Sequence, residues 1–182
     1  MRIISGLKRG LKLKSLEGSD TRPTLDSVKE AIFSMLFDSV NDAAILDLFA
    51  GSGALGLEAL SRGAKKAVFV DSNPKACNIV RANIESAGFE EKASVIKKDA
   101  IEFLTEAGKK GEKFSLIFLD PPYALALLDE VLDLISQSGI LTENGLIVCE
   151  FDNGTKPNIK SFNLLKDKRY GRVCVNILEA SK

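Results

Sequence analysis

Residues 44–63, AILDLFAGSGALGLEALSRG, decide the fold of this chain. The apolar run Ala44–Phe49 predicts a strand that is buried on both faces. Helical spacing of apolar residues then begins at Ala54 and ends at Gly63, a residue type that commonly closes helices. Between them, residues 51–56 match the G-x-G-x-x-G pattern in its required setting, after a strand and before a helix. This strand, turn and helix predict the first unit of an α/β sheet.

The same alternation of strands and helices continues to about residue 150. Short apolar runs predict further strands at Ala67–Val70, Ser94–Ile96, Phe114–Leu119 and Leu146–Cys149. Two closing strands are expected at Phe162–Leu165 and Val173–Leu178, joined through Tyr170-Gly171. The sequence therefore predicts a three-layer α/β sheet, mostly parallel, with a C-terminal antiparallel strand.

The first 40 residues are expected to form an appendage to this sheet. The segment from Arg2 to Leu13 alternates weakly and contains two glycines, which predicts a short hairpin. Apolar residues from Val28 to about Phe37 recur at helical spacing. We therefore expect a basic hairpin and a helix over residues 1–40, followed by the main domain over residues 41–182.

Composition excludes several kinds of protein. The chain has 182 residues, enough for one ordinary domain, and its 25 basic and 25 acidic residues cancel. It contains no histidine, which excludes Ser-His-Asp triads and histidine-zinc sites. Three widely spaced cysteines indicate free, buried thiols in a reducing compartment. No apolar run approaches the roughly 18–20 residues of a membrane span. We expect a cytoplasmic protein without a membrane segment or a metal.

Acidic residues around the glycine turn indicate its ligand. Asp71 lies twenty residues after Gly51, at the end of the next predicted strand, where it can accept both ribose hydroxyls of a nucleoside. Asp47 would repel a pyrophosphate, but it can help to hold the ammonium of an amino-acid moiety. The turn therefore favours S-adenosylmethionine over NAD. Asp99 follows the third strand and can accept from the adenine amino group.

Each of these acids also has a purely structural explanation, as a turn cap, a strand-end carboxylate or a helix N-cap. The residues expected to bind the cofactor are Thr24, Asp47, Phe49, Ala50, Gly51, Ser52, Gly53, Gly56, Asp71, Ser72, Asn73, Asp99 and Ala100.

The most specific signal is Asp120-Pro121-Pro122-Tyr123, directly after the fourth predicted strand. Residues that precede proline are driven to an extended backbone, and each proline fixes its own φ. The result is a stiff ledge at the carboxyl edge of the sheet, where open α/β sheets bind ligands. There Asp120 and the Pro121 carbonyl can accept both hydrogens of an exocyclic amine, while Tyr123 stacks on the base.

Such a ledge allows methyl transfer without a histidine. Two acceptors favour a more tetrahedral nitrogen, whose lone pair can face the sulfonium methyl of the donor. The methylated nitrogen then loses its proton to Asp120 or to water. The predicted catalytic residues are Asp120, Pro121, Pro122 and Tyr123.

With these residues in view, the chain resembles the bacterial 16S ribosomal RNA guanine-N2 methyltransferase family over nearly its whole length. The likeness lies in residues 1–6 and their basic continuation, Arg22-Pro23-Thr24, residues 46–63 and the Asp-Pro-Pro-Tyr tetrad. Lys29 stands where arginine is frequent in the family. The resemblance implies a Rossmann-like class I methyltransferase fold and S-adenosylmethionine as donor. It also implies a guanine N2 of 16S ribosomal RNA in the assembling small subunit as acceptor. We expect a monomer.

Residues 1–15 carry five basic residues and no acid, which leaves 20 basic and 25 acidic residues in the rest of the chain. Such a basic arm can contact phosphates without reading sequence. It can equally be a solvated edge that blocks aggregation. The expected RNA-binding residues are Arg2, Lys8, Arg9, Lys12 and Arg22.

Three other functions stay open on the sequence alone. An adenine-N6 methyltransferase acting on DNA or RNA is the first, because the tetrad presents acceptors to any exocyclic amine. A non-catalytic RNA-binding assembly factor is the second. The third is an NAD oxidoreductase, although the sequence offers no histidine to handle the proton that accompanies a hydride.

Overall fold

The computed structural model describes residues 1–15, 26–121 and 125–181, except for the side chain of Leu125. The strands are β1 (Ala44–Asp47), β2 (Lys66–Asp71), β3 (Ala93–Lys97), β4 (Phe114–Leu119), β5 (Leu141–Asp152), β6 (Phe162–Tyr170) and β7 (Val173–Ala180). The helices are α1 (Asp26–Leu36), α2 (Ala54–Ser61), α3 (Pro74–Ala87), α4 (Ala100–Lys110) and α5 (Leu125–Ser138). Short 3₁₀ turns span Phe37–Val40 and Glu90–Lys92.

The seven strands form one sheet in the order β3-β2-β1-β4-β5-β7-β6. The first five in this order pair in parallel, whereas β7 is antiparallel to both β5 and β6. The predicted fold class is thereby confirmed. The chain adds β2 and β3 on one side of β1 and then crosses to add β4 and β5 on the other side. The order in which strands are added therefore reverses between β1 and β4. Open α/β sheets bind their ligands at such a switch point.

Helices cover both faces of the sheet. Helices α1, α2 and α3 share a buried apolar core with one face, and α4 and α5 share a second core with the other. Successive strand residues point to opposite faces, so that Ile45 belongs to the first core and Leu46 to the second. Below, the face covered by α1, α2 and α3 is called the first face.

The N-terminal segment folds back on itself and docks on the first face. Arg2 and Lys12 form an antiparallel bridge, and the Ile3 amide donates to the Leu11 carbonyl at 2.9 Å. Ile3 is fully buried in the same core as α1 to α3. At the tip, a Cβ on Gly6 (φ 81°) would lie 1.9 Å from the Ser61 carbonyl oxygen. The expected hairpin thus rests on the end of α2, while the domain boundary near residue 40 stays a prediction.

Two strands exceed the predicted runs by five residues or more. β5 begins at Leu141 rather than Leu146, because Leu141 pairs with Phe114 before an irregularity in the ladder. The intervening Thr142-Glu143-Asn144-Gly145 is rich in turn-forming residue types and hides this start. β6 continues through charged residues to Tyr170 because β7 pairs along its length.

The composition led to two expectations, one about the cysteines and one about membrane-spanning helices. The cysteines are free and buried, as predicted: Cys77, Cys149 and Cys174. Within the described ranges, every helix is too short or too polar to traverse a lipid bilayer.

Candidate active site

Three carboxylates meet at the carboxyl edge of the sheet, around the switch point. Asp47 is the last residue of β1, Asp71 is the last residue of β2, and Asp120 follows β4 directly. Asp47 pairs in register with Phe69 on one side and Phe118 on the other. Asp71 and Asp120 therefore lie two residues further along on the neighbouring strands, and the strand alternation places all three on the first face.

The glycine turn brings the start of α2 against Asp47. Gly53 precedes the helix in a left-handed conformation (φ 78°), which glycine adopts without a steric penalty. A Cβ at Gly56 would lie 2.3 Å from the Phe69 ring. Because Gly56 has no side chain, its amide approaches Asp47 and donates to Oδ2 at 3.0 Å. The strand-end explanation of Asp47 is therefore correct, whatever else that carboxylate binds.

Asp47 and Asp120 titrate near neutrality. Burial raises the pKa of Asp47 to about 7, against the hydrogen bond from Gly56, and the charges of Asp120 and Asp71 add to the rise. Removal from water likewise raises the pKa of Asp120 to about 7. Two interacting carboxyl groups of this kind titrate as a pair. Near pH 7 the pair is therefore partly protonated.

Asp71 stabilises the glycine turn. Its Oδ2 accepts from the Gly51 amide at 2.9 Å and its Oδ1 accepts from the Asn73 amide at 2.8 Å. Asn73 in turn caps α3 by accepting from the Lys75 amide at 2.9 Å. Each carboxylate oxygen has more than one acceptor position. Asp71 can therefore hold the turn and accept ribose hydroxyls at the same time.

Asp99 is the N-cap of α4, as the structural explanation predicts. Its Oδ1 accepts from the amides of Ile101, at 2.9 Å, and Glu102, at 3.4 Å. Both hydrogen bonds use the same oxygen, and the residue is exposed. Asp99 follows β3, whose last residue Lys97 pairs with Asp71, so both acids lie at the carboxyl edge of the sheet. Ala100, the first residue of α4, is buried.

Asn83 is a site residue that the sequence analysis missed. It is 1% exposed, and its Nδ2 donates to the Ser52 carbonyl in the glycine turn at 2.8 Å. The same side chain exchanges two hydrogen bonds with the backbone of Lys14, at 2.8 and 3.0 Å. It thus ties the turn to the N-terminal segment. A polar residue in the buried stripe that contains Val80 and Ile84 was the available signal.

Glu58 is a second missed residue, beneath the turn. It is fully buried in α2 and accepts from the amides of Ile4, at 2.7 Å, and Ser5, at 3.0 Å. Two cations also reach it, the Arg62 guanidinium at 2.8 Å and the buried Lys29 ammonium at 3.4 Å. One carboxylate therefore joins α1, α2 and the N-terminal segment. The signal was a lone acid in an otherwise apolar helix.

The predicted RNA-binding residues of the N-terminal segment lie at the surface but are spread along the hairpin, with Arg2 and Lys12 paired at its open end and Lys8 and Arg9 at its tip. Arg2 is exposed and pairs with Asp26 at 3.2 Å. Lys8 places its ammonium 5.9 Å from the centre of the Phe89 ring, beyond the C-terminal end of α3. Arg9 and Lys12 are exposed, and no ion pair to them occurs in the described ranges. The hairpin tip thus lies toward the amino edge of the sheet, away from Asp120.

Four predicted site residues lie outside the described residues: Arg22, Thr24, Pro122 and Tyr123. Pro121 is described and is half-buried directly after Asp120. The remaining predicted cofactor residues cluster around the switch point and along the neighbouring carboxyl edge, on β1, the glycine turn, the β2–α3 connection and the start of α4.

The chain is similar to known proteins over nearly its whole length. Residues 1–179 match the protein family described as Conserved hypothetical protein 95. The chain belongs to this family. A Haemophilus influenzae relative, named Ribosomal RNA small subunit methyltransferase D, is 37% identical over 182 residues, which are 98% of this chain and 93% of that protein. The resemblance drawn from the sequence is therefore confirmed.

Solved structures support the family fold. The Escherichia coli protein yhhF matches with a TM-score of 0.87 and 33% identity, covering 99% of this chain and 97% of its own. An RNA methyltransferase from Salinibacter ruber, solved in complex with S-adenosyl-L-homocysteine, has a TM-score of 0.67 at 13% identity, over 86% of this chain and 92% of its own. That second likeness concerns the fold alone.

Proposed function

We propose that this chain transfers a methyl group from S-adenosylmethionine to the exocyclic N2 of a guanine in 16S ribosomal RNA of the small ribosomal subunit. The observation that carries the proposal is the position of Asp120 and Pro121. They lie at the carboxyl edge of the sheet, on the strand next to Asp47 and its glycine turn. Relatives named small-subunit ribosomal RNA methyltransferases support the choice of RNA.

The residues around the turn fit the donor. Asp71 accepts the ribose hydroxyls, and Asp99 accepts from the adenine amine through Oδ2. Asp47 and the first turn of α2, whose N-cap residue Gly53 has no side chain to cap the helix, hold the amino-acid end. Further contacts come from the neighbouring residues Phe49, Ala50, Ser52 and Ser72. The donor supplies a methyl group already activated on a sulfonium.

The protein's part in the reaction is alignment and proton transfer. The Asp120 carboxylate and the Pro121 carbonyl accept the two amine hydrogens, which directs the nitrogen lone pair toward the methyl carbon. As the nitrogen–carbon bond forms and the carbon–sulfur bond breaks, positive charge develops on nitrogen beside the Asp120 carboxylate. The extra proton then passes to Asp120 or to water. A guanine in folded RNA must be splayed out to reach this ledge.

Methyl transfer can be measured directly. The protein is incubated with methyl-labelled S-adenosylmethionine and small subunits from cells that lack this enzyme, and the RNA is digested to nucleosides. We expect the label in N2-methylguanosine of 16S ribosomal RNA. Label in N6-methyladenosine, or none in RNA, would overturn the proposal. The absence of a metal and the monomeric state stay predictions.

Replacing Asp71 tests the donor site. Asp71→Ala should raise the dissociation constant for S-adenosylhomocysteine about 10- to 100-fold, because it removes acceptors for hydrogen bonds worth about 1.5–3 kcal/mol with charged groups. Asp71→Asn keeps one acceptor oxygen and should lose less. Isothermal calorimetry gives both values. If Asp71→Ala binds the ligand as the wild type does, Asp71 is a turn cap only.

Activity should depend on pH through Asp120. Because the pKa of Asp120 is raised to about 7, the carboxylate is protonated below that pH and can no longer accept the amine hydrogen or the proton. We expect kcat to rise with pH, about tenfold per unit below pH 7, and to level above it. Asp47→Asn removes a neighbouring negative charge and should move the rise to lower pH. A flat profile from pH 5.5 to 8.5 would contradict this role.

A further inference from the structure

The outer strand of the sheet carries a second cationic surface. Residues 156–172 contain six basic residues and one acid. Four of the cations lie on β6 and in the turn to β7, and all four are exposed. We call this surface the basic edge, formed by Lys166, Lys168, Arg169 and Arg172.

These cations have no acidic partner among the residues that the structure describes. The ion pairs found there all lie elsewhere in the chain. The single acid of the segment, Asp167, accepts from Asn176 at 3.0 Å instead. Arg169 donates only to the backbone, from Nε to the Gly171 carbonyl at 2.9 Å. The charge is therefore available to a ligand.

The basic edge lies at the carboxyl edge of the sheet, where the strands of the candidate active site also end. β6 is antiparallel to β7, which is antiparallel to β5, so β6 ends at the carboxyl edge. Lys168 pairs with Val175, which pairs with Glu150. Glu150 follows Cys149, the partner of Leu119, so Lys168 lies level with Asp120. Three strand spacings separate them, about 14 Å.

Two of the four side chains, those of Lys166 and Lys168, also lie on the same face of the sheet as Asp120. Lys166 pairs with Ile177 and Lys168 with Val175, and both partners belong to the core of the first face. Residues paired across a ladder point to the same face. Asp120 follows Phe118 by two residues, and Phe118 belongs to the same core. The two lysines therefore project on the side of the sheet where the target base would bind.

We propose that the basic edge binds the phosphate backbone of the RNA next to the methylated base. This inference rests on the proposed RNA substrate and adds the surface that holds it. Lysine and arginine side chains bind phosphates with little regard to sequence, and such contacts fix the position of a nucleic acid on a protein. The hairpin tip near Lys8 lies toward the other edge of the sheet, whereas the basic edge lies level with Asp120.

Charge reversal on the two edges of the sheet tests this inference. The test set is Lys166→Glu, Lys168→Glu, Arg169→Glu and Arg172→Glu in one protein. The control set reverses four exposed lysines toward the amino edge, also without ion pairs in the described ranges: Lys65→Glu, Lys66→Glu, Lys92→Glu and Lys109→Glu. Binding to small subunits from cells that lack this enzyme is measured at several salt concentrations, and S-adenosylhomocysteine binding serves as the folding control.

We expect the test set to raise the RNA dissociation constant about 100-fold and to lower the slope of log affinity against log salt by about three. Affinity for S-adenosylhomocysteine should not change, and kcat at saturating RNA should stay near that of the wild type. The control set should change RNA affinity by a few-fold at most. Equal losses in both sets, or wild-type binding by the test set, would overturn the inference.

Two further readouts keep the test decisive. If the reversed chain does not fold, the same four positions are changed to Gln, which removes charge without adding repulsion and should still weaken binding about tenfold.

RNA binding is measured without methyl transfer. A wild type that binds RNA but makes no N2-methylguanosine refutes the proposed function alone. If the wild type methylates the RNA normally and the test set binds RNA as the wild type does, only the proposal for the basic edge is refuted. A wild type that does not bind RNA refutes both proposals.

Discussion

Asp120→Ala is expected to lower kcat about 10³-fold while donor and RNA affinities stay within a few-fold of the wild type. In the proposed mechanism the carboxylate accepts from the reacting amine and stabilises charge that develops only in the transition state, and removal of such a group commonly costs 10²–10³ in rate. Asp120→Asn keeps one acceptor oxygen without the charge, and its kcat should lie between those of the wild type and Asp120→Ala. Single-turnover methyl transfer to small subunits measures the chemical step.

The matched control is Asp133→Ala on the exposed side of α5, which should leave kcat unchanged. If Asp120→Ala keeps a tenth of the activity or more, Asp120 does not have the proposed role in methyl transfer. If instead it abolishes donor binding, Asp120 belongs to the donor site and its catalytic role is wrong.

Glu58→Gln is expected to lower the free energy of unfolding by about 3–5 kcal/mol, because it leaves the buried Lys29 ammonium without its anionic partner and with only the Arg2 carbonyl as an acceptor. Both side chains are fully buried, 3.4 Å apart. Burial lowers the pKa of Lys29, and the charge of Glu58 opposes that shift. The substitution also weakens the acceptor for the Ile4 and Ser5 amides, so the N-terminal segment should loosen. Urea denaturation measures the change.

Two controls separate charge burial from a general effect. Glu102→Gln removes a surface partner of Lys98 and should change stability by about 1 kcal/mol or less. Adding Lys29→Met to Glu58→Gln removes the unpaired ammonium and should restore part of the loss. A Glu58→Gln variant as stable as Glu102→Gln would contradict the account of this buried pair.

Local signals explain what the sequence predicted well. The strand, glycine turn and helix of residues 44–63 are coded by neighbours in the chain, so periodicity and glycine placement define them. The acids at the strand ends, Asp47, Asp71 and Asp120, follow directly from the strands. Because parallel strands end at one edge, their predicted convergence needs only the fold class. The N-cap of α4 is equally local.

Long-range contacts explain what the sequence did not reveal. Asn83 binds the backbone carbonyl of Ser52, 31 residues away, and a backbone partner leaves no trace in residue type. Glu58 meets backbone amides 53 and 54 residues earlier. The basic edge becomes visible only once β7 is known to lie between β5 and β6, which places β6 on the outside of the sheet. The N-terminal cations are close in sequence but are spread along the hairpin, from the Arg2–Lys12 bridge at its open end to Lys8 near Phe89.

The central claim is that the ledge after β4 presents a base amine to the donor methyl group. The most direct measurement is a crystal structure of the complex with S-adenosylmethionine, or the inert analogue sinefungin, and an RNA fragment that contains the target guanine. We expect the guanine N2 to donate to Asp120 and to the Pro121 carbonyl, about 3–3.5 Å from the transferable group. A donor bound away from β1 and β4, or a guanine whose N2 faces solvent, would contradict the account.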